Sequence, residues 1–298
     1  MENSEQNISS YHLAGIIPLA GQPMEFNFPW HDCCMPLASD YLAIERAVLE
    51  CAYAGCETIW IVCNDDIQPL IRHRLGDYIN DPVWAFRKHD SRPSENRKQI
   101  PIFYVPVHPN DRDKRDCLAW SVLYGALSAY NISLKISKWV IPDRYYATFP
   151  YGVYPVEFLR QYRKNISSDK AFALSYCGKT IKNNEYLAFT FNSEDFIKVR
   201  KNLRKQATGK YITNKDGGIP KETLPLHERY SARFFTLDQV FKPLDLTNAF
   251  ISEVTWYHNI DSWEGYCNFL ASEDRKNIHA PSKHILNYRE WNSIGNDY

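Results

Sequence analysis

Continuous apolar runs alternate with helically spaced apolar positions in the first half of the chain. The runs lie at 13–20, 58–63 and 100–105, with a shorter one at 138–141. Runs of this kind are typical of strands that are covered on both faces of a parallel sheet. Within 40–54 the apolar residues recur with helical spacing, which predicts an amphipathic helix. The pattern therefore predicts a repeated alternation of strand and helix, with right-handed crossovers and a mostly parallel sheet.

The second half of the chain has a different pattern. The first half ends with two more predicted helices, at 67–78 and 117–130. Two strands separated by a polar turn then predict an antiparallel addition to the sheet. The predicted elements of this half are strands at 172–177, 186–191 and 250–256, and helices at 194–207 and 262–271.

The composition of individual segments predicts the domain organisation. We expect one α/β domain over 1–272 and a polar C-terminal tail over 273–298. The segment 80–99 is charged and interrupted by prolines, so it is predicted to be a surface excursion. The segment 208–226 is rich in Gly, Lys, Thr and Pro, which predicts a mobile loop.

The overall composition is typical of a folded protein in a reducing compartment. The chain has 298 residues and 44% hydrophobic content, with 35 basic and 35 acidic residues. The balanced charge offers no sign of a nucleic-acid or anionic-membrane partner. No apolar run reaches the roughly 18 residues of a membrane span, and the polar start of the chain differs from a signal peptide. The eight cysteines form no CxxC pair, so we expect free thiols and a cytoplasmic location.

Several short segments together resemble the sugar-phosphate nucleotidyltransferase family. They are Ile16–Gly21, Cys34–Leu37, Ile44–Ala47, Ala54–Gly55 and Ile59–Val62. They are similar to the family's first strand, its PKxLLPV segment, its helix ending in AG, and its next strand. The resemblance implies a Rossmann-like GT-A nucleotidyltransferase sheet, mostly parallel, with an antiparallel portion in the second half. It also implies a reaction that joins a nucleoside triphosphate to a sugar phosphate, with Mg²⁺ as cofactor.

The same resemblance implies a set of site residues. The nucleotide-binding positions would be Leu19, Ala20, Gly21, Gln22 and Arg115. Asp143, after the predicted strand at 138–141, would be the catalytic residue and a magnesium ligand. Asn259, in a segment similar to the family's DIDTPEDY motif, would be the second ligand. The alternatives are a turn cap for Asp143 and a solvated loop charge for Arg115.

The chain departs from the family's pattern at the cations of the first loop. No Lys or Arg precedes Arg46, and Glu25 adds a negative charge. The family's catalytic Lys aligns with either Asp32 or Trp30. Nucleotidyl transfer depends on charge stabilisation, and one lost preorganised donor costs about 3 to 4 kcal/mol of barrier. We therefore expect impaired catalysis, unless other cations such as Arg115 or Arg144 replace those that are missing.

His31 and Asp32 invite interpretation as a catalytic pair. Adjacent side chains in an extended segment point to opposite faces, so we expect a surface histidine instead. The absence of GxSxG, HExxH, GxxxxGK[ST] and GxGxxG motifs excludes several common enzyme classes.

Two functions from different classes follow. One is a nucleotidyltransferase-like protein with impaired catalysis, whose partners are a nucleotide or a sugar phosphate. The alternative is a non-catalytic binding or assembly module on the same fold, as a homo-oligomer or within a larger particle such as a virus. A glycosyltransferase ranks last, because Asp143-Arg144-Tyr145 is not a DxD pair.

Overall fold

The computed structural model describes residues 11–21, 30–85, 98–107, 117–136, 140–206, 235–282 and 285–286. Its strands are β1 (Leu13–Pro18), β2 (Pro36–Ala38), β3 (Tyr41–Leu42), β4 (Thr58–Asn64), β5 (Tyr78–Asn80), β6 (Gln99–Val107), β7 (Arg144–Ala147), β8 (Gly152–Val153), β9 (Phe172–Ser175), β10 (Phe189–Phe191), β11 (Phe250–Glu253) and β12 (His258–Asn259). Its α-helices are α1 (Ala43–Ala54), α2 (Gln68–Leu75), α3 (Pro82–Ala85), α4 (Leu118–Lys135), α5 (Arg163–Ile166), α6 (Ser193–Gln206), α7 (Leu237–Phe241) and α8 (Trp263–Ala271). Short 3-10 helices lie at Asp32–Cys34, Glu157–Tyr162, Ile181–Asn183 and Glu273–Asn277.

An eight-stranded sheet organises the described part of the chain. Its strand order is β11-β9-β10-β7-β1-β4-β6-β5. The central strand β1 pairs in parallel with both β4 and β7, and β4 pairs in parallel with β6. The strands β5 and β10 run antiparallel to their neighbours. The prediction of a mostly parallel sheet with an antiparallel portion in the second half is confirmed.

Both faces of the sheet are covered by core side chains. In β4, Ile59 and Ile61 pack on the face that α1 covers, whereas Trp60 and Val62 pack on the face that α4 covers. A Cβ atom added to Gly125 of α4 would lie 2.8 Å from Val62, which shows how closely that helix approaches the sheet. Burial on both sides explains why this strand appears in the sequence as a continuous apolar run.

The helix predicted at 40–54 begins slightly later. β3 precedes it, and the carboxylate of Glu45 accepts a hydrogen bond from the amide of Leu42 at 2.7 Å, at the start of α1. The helix ends at Gly55, whose φ of 93° is the left-handed conformation of a helix C-terminus. The helices predicted at 67–78, 117–130, 194–207 and 262–271 are also present, as α2, α4, α6 and α8.

The strand predicted at 138–141 is not found in its described part: residues 140 and 141 belong to no strand, and residues 138 and 139 lie outside the described residues. The strand that pairs with β1 is β7, which begins at Arg144. Val140, inside the predicted strand, is 62% exposed. The start of β7 was not predicted because its first residue, Arg144, is charged. The buried guanidinium of Arg144 donates to the backbone carbonyls of Asp169 and Lys170, and these hydrogen bonds make a charged side chain tolerable inside the sheet.

Two residues of the expected C-terminal tail contribute to the core. Ile285 and Leu286, within the expected polar tail, are buried, and Leu286 forms a β-bridge with Ile79. Isolated apolar residues in a polar segment carry no periodic signal, so this packing was not predicted. The domain boundaries themselves stay a prediction. The expected mobile loop at 208–226 and most of the excursion at 80–99 lie outside the described residues.

The described helices include none that is both long enough and apolar enough to cross a lipid bilayer.

Candidate functional site at the carboxyl edge of the sheet

The loop after β1 begins the candidate site. The amides of Leu19 and Ala20 both donate to the carbonyl of Val62, at 2.8 and 3.1 Å. The hydroxyl of Ser121, in the first turn of α4, donates to the carbonyl of Ala20 at 2.7 Å. These contacts fix the end of β1 against β4 and α4. The chain leaves the sheet at Gly21, whose φ of 92° favours glycine, and Gln22 lies outside the described residues.

The segment after β7 forms the other side of this edge. The amide of Thr148 donates to the carbonyl of Ile16 at 3.1 Å, so the chain follows β1 beyond the end of β7. It continues as Phe149-Pro150-Tyr151-Gly152, which contains no carboxylate.

Asn259 lies against this segment. It faces Gly152 where β8 and β12 pair antiparallel, and the amide of Ile260 donates to the carbonyl of Tyr151 at 2.8 Å. A Cβ atom at Gly152 would lie 2.2 Å from the carbonyl oxygen of Tyr186, so the strand pair fits only with glycine there. The structure therefore brings Asn259 to the carboxyl edge of the sheet.

Asp143 lies at the opposite edge. Its carboxylate accepts a hydrogen bond from the amide of His12 at 2.9 Å, and its amide donates to the carbonyl of His12 at 3.0 Å. His12 immediately precedes β1, so the length of β1 separates Asp143 from Gly21, about 20 Å at the rise of an extended strand. The prediction that Asp143 follows a central strand is wrong, because it precedes β7. It does not belong to the site that Gly21 and Asn259 define.

The described residues do not fit the magnesium site that the resemblance implies. The side-chain oxygen of Asn259 already accepts a hydrogen bond from the amide of Asp261 at 2.9 Å. The segment after β7 offers no carboxylate, and no cluster of three His, Cys, Asp or Glu side chains suited to a metal occurs in the described part of the chain. Magnesium prefers carboxylate and water oxygens in octahedral geometry.

A buried carboxylate lies in the segment that resembles the family's lysine-bearing motif. Asp32 is only 2% exposed, and its Oδ1 lies 2.8 Å from Nδ1 of His31 and 3.4 Å from the hydroxyl of Tyr151. Its Oδ2 has no hydrogen-bond partner among the described residues. Burial, followed by the charge of Asp32, raises the pKa of Tyr151 well above its ordinary value, so its hydroxyl stays protonated and donates.

The expectation that His31 and Asp32 point apart is wrong. The chain there is not extended, because it turns from His31 into the 3-10 helix Asp32–Cys34. This turn brings the two side chains together.

A second buried cluster holds the segment after β7 in place. The carboxylate of Glu50 in α1 accepts hydrogen bonds from the hydroxyls of Tyr146 at 2.8 Å and Tyr154 at 2.7 Å, and from Thr148. Arg46 donates to Glu50 at 3.0 Å and to the carbonyl of Phe149 at 2.7 Å. Burial is the largest single influence on the pKa of Arg46 and lowers it, but Glu50, Tyr154 and Tyr41 together outweigh burial, so the net shift is upward and the ion pair persists.

Within the described part of the chain, none of the cations that could replace the missing Lys and Arg lies at the carboxyl edge. Arg144 donates to the carbonyls of Asp169 and Lys170 at the start of β7, so it neither binds a phosphate at the carboxyl edge nor uses Asp143 as its partner. Arg46 is held inside the core. Arg115 lies outside the described residues.

Comparison with known proteins identifies the fold. No family model matches the sequence, and no curated protein matches it. A Bacillus anthracis structure assigned as a glucose-1-phosphate thymidylyltransferase, in complex with sucrose, has a TM-score of 0.55 at 11% identity and covers 91% of this chain and 98% of its own. The fold is that of the sugar-phosphate nucleotidyltransferases. An apo UDP-glucose pyrophosphorylase has a TM-score of 0.50 at 12% identity and covers 90% of this chain and 100% of its own.

The nucleotidyltransferase fold accounts for the arrangement of the candidate site, whereas its chemistry depends on the residues of this chain. Ligands of open α/β sheets bind beyond the carboxyl ends of the strands, which is where Gly21, Gly152 and Asn259 lie. The contact between Asp32 and Tyr151 was not predicted from the sequence. They are far apart in the sequence, and no motif connects them.

Proposed function

We propose that this chain is a nucleotidyltransferase-like protein that binds a nucleotide or a sugar phosphate at the carboxyl edge of its sheet and is impaired in nucleotidyl transfer. The observation that carries the proposal is the buried carboxylate of Asp32 beside Tyr151, in a segment that resembles the family's lysine-bearing motif. The segment after β7, which carries no carboxylate, adds to it.

The electrostatics of this edge support impairment. Transfer of a nucleotidyl group builds negative charge on phosphate oxygens, and cations or metal ions must stabilise that charge. Here Asp32 contributes negative charge, and Arg46 is engaged by Glu50 and Phe149. Each missing donor costs about 3 to 4 kcal/mol of barrier, so two would slow the reaction by several orders of magnitude.

The hydrogen bonds that hold the described backbone of the site support ligand binding. Leu19 and Ala20 are anchored to Val62, and the segment after β7 is anchored to α1 by Arg46 and Glu50. A site held in one conformation loses little freedom when a ligand binds, which favours affinity. Magnesium dependence and a cytoplasmic location stay predictions of the resemblance and the composition.

Turnover assays test the impairment. The protein is incubated with magnesium, each common nucleoside triphosphate and glucose 1-phosphate, and the release of diphosphate is measured. We expect release at less than about one-thousandth of a typical enzyme rate of roughly 10 per second. Release near that typical rate would refute impairment, whereas saturable nucleotide binding without release supports the proposal.

A non-catalytic assembly module is the second candidate, and exposed apolar side chains favour it. They lie along the end of α4 and the segment that follows: Tyr130, Leu134, Ile136, Val140 and Ile141. Apolar side chains that gather on a surface mark interaction sites. Light scattering after size exclusion tests the homo-oligomer, and Leu134→Glu should convert an oligomer to a monomer if this surface forms the contact.

A further inference from the structure

Two adjacent cysteines lie in the 3-10 helix that follows His31. The Sγ atoms of Cys33 and Cys34 are 3.9 Å apart, which is within hydrogen-bond distance for sulfur. Cys33 is buried, whereas Cys34 is partly exposed. We propose that Cys34 is a site of reversible oxidation by hydrogen peroxide, and that Cys33 is the thiol that then closes a disulfide with it.

The surroundings of the two thiols favour different protonation states. Burial, followed by the hydrogen bond to Cys34, raises the pKa of Cys33 well above its ordinary value, so this thiol keeps its proton and donates it. The same hydrogen bond lowers the pKa of Cys34, and a protonated His31 adds to this effect; the net shift is downward although partial burial opposes it. Since the thiolate is the form that attacks peroxide, Cys34 reacts first.

The oxidation proceeds in two balanced steps. The Cys34 thiolate attacks one oxygen of hydrogen peroxide, the O–O bond breaks, and the departing hydroxide takes a proton from solvent, which leaves a sulfenic acid and water. Cys33 Sγ then attacks Cys34 Sγ, the S–O bond breaks, and the Cys33 proton leaves with the hydroxide as a second water. Peroxide is thereby reduced, and the two thiols together lose two electrons.

The position of the two cysteines makes this disulfide easy to reduce. Adjacent Cα atoms are about 3.8 Å apart, less than the roughly 4.4 to 6.8 Å of ordinary disulfides, and strained disulfides are the more readily reduced ones. Cys33 also holds Asp32, because its amide donates to Asp32 Oδ1 at 3.0 Å. Closing the disulfide moves Cys33 Sγ towards Cys34 and so disturbs the residue that holds Asp32 at the candidate site.

Mass spectrometry of the full chain measures this modification directly. No Lys or Arg precedes Arg46, so trypsin releases both cysteines in one peptide, which ends at Arg46 and contains no other cysteine. After treatment with hydrogen peroxide and alkylation of the remaining thiols, we expect this peptide to be lighter by two hydrogen atoms and to carry no alkyl group. A thiol reductant should restore alkylation at both cysteines.

Two variants separate the roles of the thiols. Cys33→Ser keeps a hydrogen-bond donor beside Cys34 but removes the second sulfur, so dimedone should label the sulfenic acid of Cys34 several-fold more than in the wild type. Cys34→Ser should leave the buried Cys33 unmodified. The exposed Cys177 is an internal control, because in folded Cys33→Ser it should be labelled less than Cys34, and this difference should vanish in urea.

Three results would overturn the inference. They are alkylated cysteines or a sulfinic acid in place of the disulfide in the oxidised wild type, equal dimedone labelling of Cys34 in the wild type and Cys33→Ser, and labelling of Cys177 as strong as that of Cys34 in the folded variant. The wild-type measurement needs no variant to fold. No nucleotide or sugar is present, so the result is independent of the proposed nucleotide site.

Discussion

Asp143 lies at the amino ends of the central strands β1 and β7, whereas Asn259 lies at their carboxyl ends. Asp143 bonds to His12 before β1, whereas Asn259 faces Gly152 beyond the end of β7. The two residues that the family resemblance joins as magnesium ligands are therefore separated by the length of a strand. A ligand bound beyond the end of β1 would therefore lie nearer to Asn259 than to Asp143.

This separation predicts different effects of two alanine variants. Asn259→Ala should weaken the binding of a nucleotide, measured by calorimetry, by roughly 3- to 10-fold, the value of one lost hydrogen bond. Asp143→Ala should leave the affinity unchanged and lower the free energy of unfolding by about 1 kcal/mol, because the His12 amide loses its acceptor. A larger loss of affinity in Asp143→Ala would contradict this placement of the site.

The buried ion pair of Arg46 and Glu50 predicts a large stability effect. Glu50→Ala leaves the Arg46 guanidinium charged and unpaired in the core, so the free energy of unfolding in urea should fall by about 3 to 5 kcal/mol. The matched control is Glu57→Ala, because Glu57 is 47% exposed and contacts His12. An exposed pair of this kind contributes less than about 1 kcal/mol. Similar losses in both variants would show that the buried ion pair contributes no more to the free energy of unfolding than the exposed pair, which would contradict this prediction.

The charge of Asp32 predicts a gain of affinity when it is removed. Asp32→Asn should tighten the binding of a nucleotide by roughly 3- to 10-fold, because one negative charge no longer repels the phosphates. Tyr151→Phe removes the hydrogen bond to Asp32 without changing the charge, so it should not tighten binding. The affinity for uridine, which has no phosphate, should be the same in all three proteins. Weaker nucleotide binding in Asp32→Asn would show that this carboxylate holds the ligand.

The thiol of Cys63 predicts a loss of stability at high pH. Burial, followed by the charge of Asp66, raises its pKa from 9.0 to about 12. The folded state therefore keeps the proton longer than the unfolded state, and this stabilisation is present below pH 9 and lost as the pH rises towards 12. Between these values each pH unit removes about 1.4 kcal/mol.

Urea unfolding under reducing conditions measures this contribution. Cys63→Val should show a shallower fall of unfolding free energy between pH 9 and 11 than the wild type, whereas replacement of the exposed Cys177 by Ser should not change the slope. Identical slopes in the wild type and Cys63→Val would rule out the contribution.

The sequence predicted the fold more fully than the site. Continuous apolar runs predicted β1, β4 and β6, and helically spaced apolar residues predicted α1. Burial on both faces of a strand, or along one face of a helix, leaves a pattern within a short stretch of sequence. β7 was misplaced because the buried Arg144 finds its partners in carbonyls distant in sequence. The pairing of Asp32 with Tyr151, and of Glu50 with three hydroxyls, likewise depends on tertiary contacts that no local pattern records.

Titration with a panel of nucleoside diphosphate sugars, followed by addition of magnesium and diphosphate to the same samples, tests the central claim most directly. The binding site and the reverse reaction are then measured on one population of protein. We predict saturable binding of at least one compound, with nucleoside triphosphate formed at less than about one-thousandth of a typical enzyme rate. Formation of triphosphate at an ordinary enzymatic rate, or no binding of any compound, would contradict the account.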